Sequence, residues 1–342
     1  MYKKIYLSVI LGVLFFISCK DKKQYYEESG TVFHTLYTIK YEAPYALTDK
    51  IDAELQKFNL SLNPFNPNSI IAKVNNNEAV EVDEWFTEVF NKSMEVSRNS
   101  DGVFDITCAP LVNLWGFGFN KKDSVTPTMI DSLKTFVGYQ KVHLEGKKIV
   151  KDDPRLLLNC SAIAKGYSCD VIARLLEKEG VENYMVLIGG EVVVKGVNQN
   201  GVCWRTGINL PEDDPDGIKN NYDEIVQLCK KGAIATSGNY RNFYIKDGKK
   251  YAHTIDPRTG YPAEQSILSA TIVANDCMTA DAYATAFMAM GLEKARQMAD
   301  TLPEIEYYVI YADESGKHQI EFSKGMLQYL PKRKTMINSD NS

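Results

Sequence analysis

The segment Tyr251–Pro262, with the sequence YAHTIDPRTGYP, strongly restricts the backbone of this chain. Pro257 fixes its own φ and disfavours helix at Asp256, whereas Gly260 tolerates positive φ. We therefore predict a rigid loop that leaves a strand. One interpretation is an ordinary turn whose polar side chains bond to the local backbone. His253 favours a functional loop instead, because histidine can accept and return a proton near neutral pH.

The overall charge excludes one class of function. The 342 residues carry a net charge of −5, with a sequence pI near 5.6. A protein that binds nucleic acid non-specifically would present a basic face. We therefore expect no nucleic-acid partner.

The N-terminus has the pattern of an export signal. Lys3 and Lys4 precede the apolar run Ile5–Ile17, which is short for a membrane span. Ser18 then stands directly before Cys19, as in bacterial lipoprotein signals. We predict a signal over residues 1–18, lipidation of Cys19, and a membrane-anchored protein facing the periplasm from either membrane. The alternative is an ordinary signal peptide or an uncleaved anchor with an incidental cysteine.

The remaining pattern predicts an α+β fold. Hairpin-connected strands occur in blocks that are separate from the helices, unlike a regular βαβ alternation. We expect a tether over 19–29, one large domain over 30–331 and a polar tail over 332–342. The domain would contain mixed or antiparallel sheets, and two lobes around a cleft are one possible arrangement. The elements predicted include a strand over Thr31–Tyr41, an irregular loop over Phe58–Val74, a helix from Asp83 to Asn99, a strand over Leu156–Leu158 and a helix over Met278–Met290.

Several common sites are missing from the sequence. It contains neither a P-loop nor the GxGxxG of a Rossmann site. The cysteines other than Cys19 form no CxxC pair, which argues against structural zinc and leaves their pairing open. Ser237 before Gly238 allows a serine hydrolase in principle, but GxSxG is absent.

Two segments suggest where a flat, charged ligand could bind. The run Leu114–Phe119, LWGFGF, predicts a loop with exposed rings, and this loop would be either a platform for a ring system or a cap on the core. The segment Asn159–Ala162 leads into a helix, capped by Asn159 or Ser161, whose free N–H groups favour an anion. Lys165 follows one turn later.

A possible cation site lies in MTADAYAT, Met278–Thr285. Asp281 and Thr285 are four residues apart, so they share a helical face. A carboxylate and a hydroxyl suit a hard cation such as Mg²⁺. The alternative is that Asp281 offsets the helix dipole and Thr285 packs.

Five segments together resemble the ApbE family of FAD:protein FMN transferases. They are LNCSAIAKGYSCD at Leu158–Asp170, GGE at Gly189–Glu191, ATSGNYRNF at Ala235–Phe243, HTIDPRTGYP at His253–Pro262, and MTADAYATAFMAMG at Met278–Gly291. LWGFG and TVFHTLYTI match more loosely. The resemblance covers essentially the whole mature chain, in family order.

The resemblance implies a reaction and a set of site residues. Such enzymes use Mg²⁺ to cleave FAD, join FMN to a threonine of an acceptor protein and release AMP. The acceptors are flavin-carrying subunits of membrane redox pumps. By resemblance, His253 assists proton transfer, while the metal is held by the carbonyl of Ala162 and the side chains of Asp281 and Thr285. The residues implied to contact FAD are Phe33, Trp115, Gly116, Phe117, Asn159, Lys165 and Ile255.

The sequence departs from the family pattern at three positions. Asn159 stands where most members have Asp, Phe33 where many have Met, and Asn63 where a Tyr is often found. Two other activities fit the same motifs, namely hydrolysis of FAD to FMN and AMP, and flavin binding without turnover.

Overall fold

The protein was analysed as a computed structural model, which describes residues 23–118, 125–212, 221–240, 243–246, 249–263 and 266–331. The predicted signal, Cys19, the polar tail after 331 and Phe119 of the aromatic run lie outside these residues. Among the described residues, no helix has both the length and the apolar character needed to cross a bilayer.

Strands and helices alternate irregularly along the chain. The strands are β1 Gln24–Val32, β2 Thr35–Ala43, β3 Val142–Glu145, β4 Lys148–Lys151, β5 Tyr184–Ile188, β6 Glu191–Lys195, β7 Trp204–Asn209, β8 Tyr222–Leu228, β9 Gly232–Gly238, β10 Phe243–Lys246, β11 Lys249–Ala252, β12 Ile255–Asp256, β13 Tyr261–Pro262, β14 Ile267–Ala274, β15 Ile305–Ala312 and β16 His318–Phe322. The helices are α1 Thr48–Leu62, α2 Ile70–Asn75, α3 Glu84–Asn99, α4 Ala109–Leu114, α5 Pro127–Lys134, α6 Ala164–Lys178, α7 Cys277–Met290 and α8 Leu292–Ala299.

One eight-stranded sheet organises the molecule, in the order β1-β2-β5-β6-β9-β14-β15-β16. All of its neighbouring strands run antiparallel. The α+β class predicted from the blocks of hairpins and helices is therefore confirmed. The remaining strands form four small two-stranded sheets.

The sheet is covered on both faces. Val193 and Val186 face one side, where they pack with the apolar residues of α6 and α1. Val192 and Val194 face the other side, beneath the β7–β8 hairpin and a 3₁₀ helix over Lys324–Tyr329. This period-two division of consecutive valines is what a centrally placed strand requires.

Helix α7 lies in the interior of the domain. Every residue of it except Thr285 is buried, and it packs against β9, β14 and α6. Its many alanines let these elements approach closely. The predicted Met278–Met290 helix is confirmed, and it ends at Gly291, whose φ is +81°.

The prediction was wrong at the N-terminal end of the domain. The tether expected to reach residue 29 is shorter, because β1 begins at Gln24. The single strand expected over Thr31–Tyr41 is broken by a turn at Phe33 and His34, with φ of +52° and +60°. The pair is not the Asn-Gly or Asp-Gly that usually marks a two-residue hairpin turn, and Phe33 rarely adopts positive φ, so the strand-like pattern continued through the turn.

Two further elements differ from expectation. The loop expected over Phe58–Val74 is shorter, because α1 continues to Leu62 and α2 begins at Ile70, where Ser69 caps it. The strand expected over Leu156–Leu158 is only an isolated bridge, in which Leu157 pairs with Cys108. Asn75 holds this stretch instead, because its side chain bonds to both the N–H and the C=O of Leu158 at 2.7 and 2.9 Å.

Candidate functional site

The site begins where α6 crosses α7 at Gly166. A Cβ on this glycine would lie 2.2 Å from the carbonyl oxygen of Cys277 and 2.8 Å from Cβ of Asp281. The backbone N–H of Gly166 donates to Oδ2 of Asp281 at 2.9 Å. The absence of a side chain at this position therefore brings the start of one helix against the Asp281 carboxylate of the other.

Lys165, next to this crossing, lies between two acidic side chains. Its Nζ is 2.7 Å from Oε1 of Glu191 and 3.5 Å from Oδ1 of Asp281. Both carboxylates are buried, whereas about a third of the lysine side chain is exposed (34%). Burial lowers the pKa of the Lys165 ammonium, but the charges of Asp281 and Glu191 raise it by more. Lys165 is therefore a cation held between two buried carboxyl groups.

Glu191 is the least satisfied of these groups. Its Oε2 is buried and has no hydrogen-bond partner among the described residues, a property it shares only with the hydroxyl of Ser269. Burial raises the pKa of Glu191 to about 7, while Lys165 opposes the rise and Asp281 adds to it. The carboxylate begins β6, directly after the positive-φ turn Gly189-Gly190.

The N-terminus of α7 is capped twice. Asp276 is the N-cap residue, and its Oδ1 accepts from the N–H of Thr279 at 2.8 Å. The buried Asp170 accepts from the N–H groups of Cys277 and Met278 at 2.9 and 2.8 Å, one with each oxygen. Burial raises the pKa of Asp170 to about 7 despite these bonds. The two aspartates fix the start of the helix that carries Asp281.

Thr285 lies one turn after Asp281 and is half-buried. Its Oγ1 is 3.2 Å from Oγ of Ser237 on β9. The hydroxyl that suggested a serine hydrolase is thus a neighbour of the predicted cation-binding threonine. Asp281 and Thr285 lie on the same face of α7, as the sequence predicted.

Hydrogen bonds of Asn159, rather than a helix cap, hold the segment before α6. Asn159 donates its N–H to the carbonyl of Ile106 at 2.7 Å, and its Oδ1 accepts from the N–H of Ser161 at 2.9 Å. The predicted cap by Asn159 or Ser161 was wrong, because α6 starts later, after Ile163, without a side-chain cap. Ala162 lies in this turn, half-buried against the main core.

A second group gathers around Ile255. The residue is buried in β12 with Leu114 and Trp115, and Phe117 packs on the same cluster. Nε1 of Trp115 donates to the carbonyl of Gly260 at 2.8 Å. The expectation of exposed rings was therefore wrong for Trp115, whose indole is buried because its N–H finds a partner there.

His253 lies beside this aromatic group. Its ring and that of Phe117 meet edge to face, with centroids 6.4 Å apart. Gly116, between the two aromatic residues, has a φ of +81°. The strand β12 packs beside α7, the helix that carries Asp281.

The loop after His253 is held by hydrogen bonds between its own side chains and by close packing. The Arg258 side chain forms two hydrogen bonds to the buried Asp256 carboxylate, at 3.0 and 2.8 Å, and the Arg258 N–H adds a third at 2.9 Å. Gly260 has a φ of +80°, and a Cβ there would lie 2.4 Å from Cγ2 of Ile130. Asp256 and Arg258 thus have the local structural role that the sequence left open.

Phe33 lies in the turn between β1 and β2. Its ring packs on Phe58 with centroids 5.1 Å apart, and the next strand begins at Thr35. A Cβ on Gly189 would approach Thr35, Lys165 and Glu191 within 3.2 Å. The β1–β2 turn and the Gly189-Gly190 turn are therefore neighbours above Lys165.

The structure brings Lys165 next to Asp281, and Thr285 lies one turn further along α7. A second set of predicted residues lies together around Ile255, namely Trp115, Phe117 and His253. Neither Glu191 nor Asp170 received a role from the sequence, although each is the last residue of a motif that resembles the family. A glutamate after Gly-Gly was the available signal for Glu191. No signal pointed to Asp170 as the cap of a helix 107 residues further on. Within the described part of the chain, no three His, Cys, Asp or Glu side chains are grouped as a metal site.

Known proteins resemble this chain over most of its length. The family model described as "ApbE family" matches residues 33–309. The FAD:protein FMN transferase of Vibrio cholerae serotype O1 is 35% identical over 323 residues, covering 91% of this chain and 95% of the relative. That of Escherichia coli K12 is 31% identical over 314 residues, covering 85% and 88%.

Solved structures share the fold. The flavin transferase ApbE from Vibrio cholerae superimposes with a TM-score of 0.81 at 33% identity, covering 90% of this chain and 100% of the other. The apo flavinyl transferase ApbE of Pseudomonas stutzeri gives 0.79 at 27% identity, covering 90% and 97%. Sequence and fold agree over nearly the whole described domain, and the chain belongs to the ApbE family.

Proposed function

We propose that this chain is an FAD:protein FMN transferase that attaches FMN to a threonine of an acceptor flavoprotein and releases AMP. The observation that carries the proposal is the meeting of Lys165 and Asp281 at the start of α6, within a chain that matches named transferases over 91% of its length. In this setting a cation lies beside a buried carboxylate at the positive end of a helix, an arrangement suited to binding a diphosphate.

The residues present fit a magnesium ion. Asp281, Thr285 and the carbonyl of Ala162 offer only oxygen, which Mg²⁺ prefers. Oδ1 of Asp281 is 3.5 Å from Nζ of Lys165, longer than a close ion pair, so this oxygen retains capacity for a cation. When bound, Mg²⁺ would neutralise charge that develops on the diphosphate. The residues themselves would position the substrate.

The other residues supply binding and proton transfer. Lys165 would hold the diphosphate, while Asn159 would accept from the adenine amino group. Phe33, Phe117, Ile255 and Trp115 would offer apolar contact to the rings. The backbone at Gly116 would approach the ligand closely, since a glycine carries no side chain there.

The transfer step balances with one base. The threonine oxygen of the acceptor bonds to the phosphorus of the FMN half, while the bond from that phosphorus to the AMP oxygen breaks. His253 would take the hydroxyl proton, and AMP would leave with the electron pair of the broken bond. The acceptor is a second protein, so the region around His253 must admit a loop from outside.

The test combines purified full-length protein, FAD, Mg²⁺ and a flavin-carrying subunit of a sodium-pumping NADH:quinone reductase. We expect a fluorescent adduct of that subunit on a denaturing gel, with one threonine gaining the mass of FMN. Asp281→Ala should reduce transfer at least 100-fold, in line with loss of a metal ligand. Asp276→Asn is the control, because it keeps a side-chain oxygen at the N-cap of the same helix. This variant should retain the transfer activity.

Other outcomes would replace the proposal. Release of FMN and AMP without any acceptor would identify an FAD pyrophosphatase, and tight FAD binding without product would identify a flavin-binding protein. Full activity of Asp281→Ala with Mg²⁺ would refute the ligand assignment.

We further propose that the protein is exported and anchored to the membrane through Cys19. The lipoprotein-like N-terminus supports this address, as does the disulfide between Cys203 and Cys229, because disulfides persist in oxidising compartments.

A further inference from the structure

Glu191 is buried in a way that its own fold does not explain. Its Oε1 accepts from Lys165, but its Oε2 lacks a partner among the described residues. A buried acceptor without a partner destabilises the folded protein, and more so when the group is charged. An apolar residue at the start of β6 would avoid this loss of stability.

The geometry shows what the carboxylate does to Lys165. One ammonium has two buried carboxylates within reach, yet it lies at 2.7 Å from Glu191 and at 3.5 Å from Asp281. Attraction between opposite charges grows as their separation falls, so without Glu191 the ammonium would move to Asp281. Glu191 therefore competes with Asp281 for the same cation.

The surrounding backbone favours Glu191 in this competition. Gly189 lies over the pair, where a Cβ would be 3.1 Å from Cδ of Lys165 and 3.2 Å from Oε2 of Glu191. The lysine stem is thus confined against the Gly189-Gly190 turn. On the other side, Oδ2 of Asp281 is occupied by the N–H of Gly166, which leaves Oδ1 as the oxygen that Lys165 would reach.

We propose that Glu191 is a positioning residue that holds the Lys165 ammonium away from Asp281, so that the Asp281 carboxylate stays available to a divalent cation. This inference rests on the proposed function. It concerns neither the metal ligands nor the base, and it assigns a role to the Gly-Gly-Glu segment. If Lys165 were free to pair with Asp281, its ammonium would compete with the metal ion for the Asp281 carboxylate.

The test measures metal binding directly, by calorimetry with Mn²⁺ as the probe, on full-length protein in detergent with FAD present. Glu191→Ala should raise the dissociation constant of Mn²⁺ about 10-fold or more, as is typical when a residue supporting a metal ligand is lost. Glu191→Gln, which keeps the shape but not the charge, should raise it less. The second change Lys165→Met should return the Glu191→Ala protein to the affinity of Lys165→Met alone.

A matched control removes the charge of another carboxylate that forms an ion pair, far from the proposed metal site in sequence. Glu321→Gln breaks the pair between Glu321 on β16 and Arg296, at 2.8 Å, and should leave Mn²⁺ affinity unchanged. Circular dichroism and thermal melts would establish that each variant is folded. If Glu191→Ala does not fold, the comparison of Glu191→Gln with the wild type decides the question.

The outcomes separate this inference from the proposed function. Wild-type protein that binds no Mn²⁺ with FAD would refute the metal site itself and the inference with it. Wild-type binding with unchanged affinity in both Glu191 variants would refute only the positioning role. The positioning role would also be refuted if the variant with both Glu191→Ala and Lys165→Met bound Mn²⁺ as weakly as Glu191→Ala, because competition from the lysine would then not be the cause.

Discussion

At Gly166 the structure shows why one residue of a motif is fixed by packing. Its N–H binds the Asp281 carboxylate, and the missing Cβ lets the carbonyl of Cys277 occupy the adjacent space. Glycine is unfavourable within a helix by about 1 kcal/mol relative to alanine. The position retains it because the helix crossing leaves no room for a methyl group.

Gly166→Ala is therefore expected to destabilise the protein, although helix propensity alone predicts the opposite. A Cβ 2.2 Å from a backbone oxygen forces α6 and α7 apart, at a cost of about 1–3 kcal/mol or more. Urea unfolding of the variant and the wild type measures the difference. A gain of about 1 kcal/mol, as propensity would give, would show that the helices separate freely.

The sequence located some site residues and missed others for physical reasons. Lys165, Asp281 and Thr285 were found because each lies in a short motif with helical spacing. Glu191 received no role, since its contact with Lys165 spans 26 residues of sequence. The burial of the Trp115 indole was missed because its partner, the carbonyl of Gly260, belongs to a distant loop.

At the scale of elements, α7 is the helix on which the site depends. It is buried almost throughout and carries Asp281, and its start is held by acceptors from two different segments. Asp276 needs one acceptor oxygen. Asp170 uses both of its oxygens, one for each of two consecutive N–H groups.

Asp170→Asn should therefore destabilise the protein by about 1–3 kcal/mol, because its NH₂ group would face a buried N–H donor. Asp276→Asn is the matched control on the same helix end. It should change stability by only a few tenths of a kcal/mol, since Asn caps helices as well as Asp does. Denaturant unfolding of both variants provides the measurement. Equal losses in the two would contradict the distinction drawn between one acceptor and two.

Element prediction succeeded where the signals were local. The helix predicted from Asp83 is α3, with Asp83 as its cap, because Asp83 accepts from the N–H of Phe86 only three residues later. The turn at Phe33 and His34 was missed because it lacks the glycine or asparagine that most often marks a positive-φ hairpin turn.

At the scale of the molecule, the sheet is closed on one face by helices and on the other by the β7–β8 hairpin. The Cys203–Cys229 disulfide joins these two strands at the point where Trp204 pairs with Leu228. The other described cysteines are Cys108, which is partly buried, and the buried Cys160, Cys169 and Cys277, all as free thiols. The fold class was predictable from hairpin signals, but this pairing was not, since six cysteines allow many combinations.

The proposed address gives a prediction for the whole chain. Protein isolated from membranes and alkylated without reduction should carry label on Cys108, Cys160, Cys169 and Cys277 after unfolding, but not on Cys203 or Cys229. Cys19→Ser should move the protein from the membrane fraction to the soluble one. Label on Cys203 and Cys229 in freshly isolated protein, together with an unchanged location of Cys19→Ser, would refute export and anchoring.

The hydrogen bond from the Trp115 indole to the Gly260 carbonyl joins segments that are 145 residues apart. One segment ends α4 and the other precedes β13, and the bond between them is buried. Neither can detach from the core without breaking the same contact. The two segments therefore share a single opening equilibrium, and a substitution that weakens either one increases the solvent exchange of both.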